Sequence, residues 1–71
     1  MDLKTTVGNN IVKYRKDRHI TQQALASKSE ISISHLRNIE HGTGNTTLDI
    51  LERLSDALEI MPADLFNDSF F

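Results

Sequence analysis

Apolar residues recur at intervals of three and four along most of the chain, the signature of helices with one buried face. Leu3, Val7, Ile11, Tyr14 or Arg15, and Arg18 form a first stripe, which predicts a helix beginning near Thr5 or Thr6 and ending by His19. Between Thr21 and Gly42 the positions Leu25, Ala26, Ile31, Leu36 and Ile39 fall on the inner faces of two short helices. The first runs from Thr21 to about Lys28 and the second from Ser32 to about Glu40. Each opens on a hydroxyl residue able to accept a hydrogen bond from the unpaired N–H groups of the first turn. Ile33, Ser34, Arg37 and Asn38 are left pointing outward. The segment GTGNT at 42–46 has two glycines and no apolar residue, so it reads as a loop. Thr47 then reads as an N-cap, with Asp49 in the first turn where the helix dipole favours an anion. Leu48, Leu51, Leu54 and Leu58, flanked by Ile50 and Ala57, give the strongest amphipathic pattern. Pro62 suits the first position of a last short helix, Pro62 to about Phe66. ISIS at 31–34 alternates, but it is too short for a strand and carries a cap at Ser32. The pattern predicts an all-α, compact five-helix domain over 1–71, with its core at about 5–66 and a tail at 67–71.

The chain's 71 residues allow one modest core, which helix packing or a dimer contact would reinforce. Without cysteine there are neither disulfides nor thiolate metal sites. No apolar run reaches the length of a membrane span and the N-terminus lacks a signal-peptide pattern, so the cytoplasm is the expected compartment. The formal net charge of −2 argues against a polyanionic partner until its distribution is considered. Residues 1–41 hold seven Lys or Arg against four acids, a balance of +3, and all three histidines. Residues 42–71 hold one base, Arg53, against six acids, a balance of −5. A basic working face and an acidic far side are permitted by this division, since the local field steers a ligand.

Enzyme chemistry finds no foothold. No two of His19, His35 and His41 are separated by three or four residues, as a helical metal site requires, so no metal or other cofactor is expected. Ser34 and His35 are neighbours on a helix and point in different directions, which is not a nucleophile–base arrangement. No glycine-rich phosphate loop or metalloprotease helix is present.

The outward residues of the second short helix suit a DNA groove instead. Arg37 can pair bidentately with guanine O6 and N7, and Asn38 with adenine N6 and N7. Ser34 can bond a base or a phosphate, and Ile33 can pack on a thymine methyl. An outward Ile33 is hard to reconcile with a helix face that meets only water. Gln22 lies at a helix N-terminus, where backbone N–H groups favour anions. His41, Thr43 and Asn45, with loop amides freed by Gly42 and Gly44, are candidates for a phosphate further along the backbone. Ser32 is read first as a cap and second as a phosphate contact.

With these residues placed, the chain resembles the helix-turn-helix domain of the phage repressor and Cro family, the xenobiotic-response-element class. The resemblance rests on Gly8, Ile11, Arg15, Thr21, Gln22, Leu25, Ala26, Ile31, Ser32, Leu36, Ile39, Glu40, Gly42, Leu48, Leu51, Leu54, Ala57, Leu58, Leu65 and Phe66. These span roughly residues 7–66 in order without insertion. The resemblance implies a lambda-repressor-like fold, base readout from the outward face of residues 32–40, a phosphate contact at Gln22, and an ion pair between Arg15 and Glu40. Both partners lie on otherwise inward stripes, where pairing offsets desolvation. The chain departs from the family pattern at four places. Glu30 stands in the turn where glycine is frequent, and a left-handed conformation there would cost about 1 kcal/mol. His19 replaces another frequent glycine. Ala24 leaves no acid to complete a capping box with Thr21. The GTGNT loop lacks the basic residues that many relatives place on phosphates.

Leu65, Phe66, Phe70 and Phe71 put four large apolar groups into the last seven residues. Leu65 and Phe66 are expected to complete the core, while Phe70 and Phe71 have no obvious place in it. Exposed apolar clusters mark interfaces, so these four predict a homodimer through the last two helices. The expected function is sequence-specific transcriptional regulation on double-stranded DNA. Two subunits would set residues 32–40 in successive major grooves of a roughly palindromic operator. No membrane association and no small-molecule effector site are expected. The rival is a protein-interaction module, such as an antitoxin or anti-repressor partner, acting through the acidic helix 47–59 or the Phe tail.

Overall fold

The computed structural model describes residues 2–68. Four α-helices, α1 (Leu3–Asp17), α2 (Gln22–Ser29), α3 (Ile33–Glu40) and α4 (Leu48–Leu58), are followed by a 3-10 helix, Pro62–Phe66. The fold is all-α, and the fifth helix is the single turn-and-a-half of 3-10 geometry that so short a segment favours. The first helix starts earlier than Thr5 because Asp2 serves its N-terminus. The Asp2 carbonyl accepts from Thr6 N–H at 3.0 Å and its carboxylate accepts from the Thr5 hydroxyl at 2.7 Å.

Val7, Ile11, Leu25, Ala26, Leu36, Ile39, Leu51, Leu54, Leu58 and Leu65 form one buried cluster to which every helix contributes. One helix, α1, lies against α3 and the 3-10 helix, while α2 lies against α3 and α4. Leu48 departs from expectation. It is 80% exposed, because as the first residue of α4 it lies beyond the edge of the core that Leu51, Leu54 and Leu58 enter. Two polar details fix the packing of α1. Gly8 passes so close to the end of α3 that a Cβ would overlap the carbonyl oxygens of Ile39 and Glu40. Buried Asn10 donates through Nδ2 to the carbonyls of Leu65 (2.8 Å) and Asn67 (2.7 Å), which ties the C-terminal segment to α1.

Helix termination follows one scheme. His19, Glu30, Glu59 and Gly42 adopt left-handed backbone conformations with φ of 56°, 58°, 58° and 73°. Each donates its N–H to the carbonyl three residues back, and the following residue donates to the carbonyl five residues back, the Schellman arrangement. After the three non-glycine residues the next residue is Ile20, Ile31 or Ile60, and all three pack against the core. Burying an isoleucine at each exit offsets the strain of a left-handed residue with a Cβ. Glu30→Gly and Glu59→Gly are each expected to raise stability by roughly 0.5–1 kcal/mol, a few degrees in Tm. Calorimetry showing an unchanged or lowered Tm for both would contradict this account of the helix ends.

Candidate nucleic-acid interface

Both short helices are capped by side chains. Thr21 Oγ1 accepts from Ala24 N–H at 3.1 Å, and Ser32 Oγ accepts from His35 N–H at 3.0 Å. The turn between them is left-handed at Glu30, with Glu30 N–H on the Ser27 carbonyl (3.2 Å) and Ile31 N–H on the Ala26 carbonyl (3.0 Å). Arg53 reaches this turn from α4. Its guanidinium donates at long range to the carbonyls of Ser29 (3.5 Å) and Glu30 (3.4 Å) and pairs with Asp49 at 2.7 Å. A cation at the C-terminus of α2 complements the helix dipole. The spacing of Asp49 and Arg53 is legible in the sequence, but the reach of Arg53 to the turn depends on the α2–α4 packing.

Ser34, Arg37 and Asn38 share the exposed face of α3, spaced by three and four. Ile33 does not stand free beside them. It is half-buried and packs against the core, so its side chain leans inward from the first position of the helix. Only part of it is available to a partner.

Behind this face lies a chain of polar contacts. Arg15 Nε donates to Glu40 Oε2 at 2.7 Å and its NH2 to Oε1 at 3.2 Å, with side chains 12% and 3% exposed. Arg15 NH1 also donates to the Ile20 carbonyl at 3.1 Å. The Gln22 amide joins them: Nε2 donates to Glu40 Oε1 at 2.8 Å, and Oε1 accepts from Arg37 Nε at 3.4 Å. The half-buried Gln22 side chain is therefore engaged within the protein, a role its place at a helix start does not reveal.

The loop after α3 is less open to anions than its glycines suggest. The N–H groups of Gly42, Thr43 and Gly44 donate to the carbonyls of Ile39 (3.0 Å), Asn38 (3.0 Å) and Asn38 (3.3 Å). These amides close the end of α3 and are not freed for a phosphate. The Thr43 hydroxyl donates to the same Asn38 carbonyl at 3.3 Å. Exposed His41 and Asn45 keep their side-chain donors. Ser32, although exposed, has its oxygen on the His35 N–H and acts as a cap.

The expected apolar interface also changes composition. Leu65 is fully buried and belongs to the core, so it cannot meet a second chain. Phe66 is half-buried against the core, and Phe70 and Phe71 lie outside the described residues. Among the described residues, the exposed large apolar ones are Leu3, Leu48 and Met61. Leu3, Leu48 and Phe66 line an apolar groove of about 280 Å³ between the start of α1, the 44–47 loop and the start of α4. Among the described residues no group of His, Cys, Asp and Glu is placed to hold a metal ion, and no helix is long and apolar enough to cross a membrane.

A capped helix, a left-handed turn and a second capped helix with a polar outer face, braced by a buried ion pair, define a helix-turn-helix unit. The chain belongs to the helix-turn-helix family, whose model matches residues 11–65. It is similar to the control protein C.MunI of Mycoplasma sp, with 32% identity over 68 residues covering 94% of this chain and 92% of that one. It is also similar to the immunity repressor protein of Bacillus phage phi105, at 44% over 55 residues, 78% of this chain and 38% of the repressor. Among solved structures, the restriction-modification controller protein C.AhdI from Aeromonas hydrophila superposes with a TM-score of 0.86. Identity there is 28%, covering 89% of this chain and 96% of that one.

Proposed function

We propose that this chain is a sequence-specific DNA-binding transcriptional regulator that reads a major groove with the outer face of α3. The observation that carries the reading is the exposed Ser34–Arg37–Asn38 face on a helix braced from behind by the Arg15–Glu40 pair. Arg37 and Asn38 supply the side-chain types that read guanine and adenine edges. Ser34 adds a base or phosphate contact, and the exposed part of Ile33 adds an apolar one. Backbone N–H groups at the start of α2, including that of Gln22, take a phosphate, with His41 and Asn45 as further donors. The similarity to a phage immunity repressor and to restriction-modification controllers supports regulation of transcription, in the cytoplasm, without catalysis.

The domain carries one candidate recognition helix, α3, which enters one major groove, and successive grooves on one face lie roughly 34 Å apart. Reading two half-sites therefore takes two copies, and Leu48, Met61 and Phe66 are the proposed dimer face.

Two outcomes test the reading. Selection from a random DNA pool is expected to return a two-fold-symmetric site, and Arg37→Ala to cost about 1–3 kcal/mol at one base position per half-site. Unchanged affinity of Arg37→Ala and Asn38→Ala for that site would overturn the assignment of the face. Leu48→Glu, at a position 80% exposed, is expected to sediment as a monomer at concentrations where the wild type is a dimer. Identical sedimentation of the two would remove Leu48 from the interface.

A further inference from the structure

We infer that Gln22 is a positioning residue for base readout: its side-chain amide holds the Arg37 guanidinium by Nε and presents the terminal edge of that guanidinium to a guanine. The inference rests on the reading of α3 as the base-reading helix. Its physical basis is the polarity of the contact chain. An ionised carboxylate only accepts hydrogen bonds and a guanidinium only donates them. Glu40, clamped by Arg15 through two bonds, therefore demands the Nε2 end of the Gln22 amide, which it receives at 2.8 Å. The amide cannot flip, and its Oε1 end is left facing Arg37, whose Nε donates to it at 3.4 Å. An arginine held by Nε keeps both terminal nitrogens free, and their fork matches guanine O6 and N7 end-on. Arg37 is exposed and its long side chain would otherwise sample many rotamers, whose loss on binding weakens recognition. The buried ion pair thus extends outward, through one amide, to the residue proposed to read a base. A side chain that instead contacted only phosphate would affect every DNA sequence alike.

A double-mutant cycle separates these roles. Gln22→Met keeps length and helix propensity but removes both amide bonds, and its fold is checked by circular dichroism. With the selected operator and single-base variants, Gln22→Met is expected to lower preference at the position Arg37 reads roughly fivefold or more. Other positions and the salt slope stay unchanged. In an Arg37→Ala background Gln22→Met is expected to change nothing further. Equal weakening on all sequences in both backgrounds would overturn the inference in favour of a phosphate contact. So would no effect at all. Should Gln22→Met fail to fold, ¹⁵N relaxation of the free wild-type protein decides. Arg37 Nε–H is expected to be ordered like that of Arg15, and mobility equal to that of exposed Arg18 would overturn the proposal. If Arg37→Ala alters no base preference, the reading of α3 fails, whereas the relaxation result stands independently.

Discussion

The Arg15–Glu40 ion pair is the contact on which the geometry of the other elements depends. It joins the last turn of α1 to the last residue of α3, and its Glu40 side chain is only 3% exposed. Desolvating two charges costs several kcal/mol, recovered only when the remaining hydrogen-bonding capacity is filled. Here it is filled: Glu40 receives two bonds from Arg15 and one from Gln22, while Arg15 NH1 serves the Ile20 carbonyl. Three helices are thereby fixed at one point. Gly8 completes the arrangement by letting α1 lie directly on the carbonyls at the end of α3. Losing either charge would leave the other buried and unpaired, a change that typically costs about 3–5 kcal/mol. In a chain of 71 residues that is a large share of the available stability.

The rest of the molecule separates scaffold from readout. Scaffold contacts turn inward and close the helix ends, so that left-handed His19, Glu30 and Glu59 are each followed by an isoleucine on the core. Arg53, the one base of the acidic half, sits at the turn between α2 and α3 and not on the outer face. The remaining acids of α4, Glu52 and Asp56, are exposed, on a helix that packs mainly against α2. The net charge of −2 is therefore compatible with a basic working side.

The elements were legible because their signals are local. Thr21, Ser32 and Thr47 cap the helices they were expected to cap, and Pro62 opens the last one. Helix stripes identified the core as far as Leu58, while Leu65, which the family resemblance places in the core, is fully buried there and not at an interface. Signals at the ends of elements were less reliable. Ile33 and Leu48 sit at the first positions of α3 and α4, where periodicity does not say whether the core extends that far; one turned in and the other out. Asn10 and Gln22 were illegible for another reason. Their partners are distant in sequence, Leu65 and Glu40 respectively, and only the packed fold brings them together. Glycine signals backbone freedom, and Gly42 uses that freedom to close α3 on itself, which leaves the loop amides paired and not free for an anion. The left-handed Glu30 shows that the turn keeps its shape without glycine.

The central claim is that α3 and the start of α2, rather than the acidic α4, meet double-stranded DNA. Titrating the ¹⁵N-labelled protein with its selected duplex tests this most directly. The account predicts that backbone and side-chain shifts concentrate at Gln22, Ser34, Arg37, Asn38 and His41 and fade as salt is raised. Shifts confined to α4 and Met61, or none at any salt concentration, would contradict it.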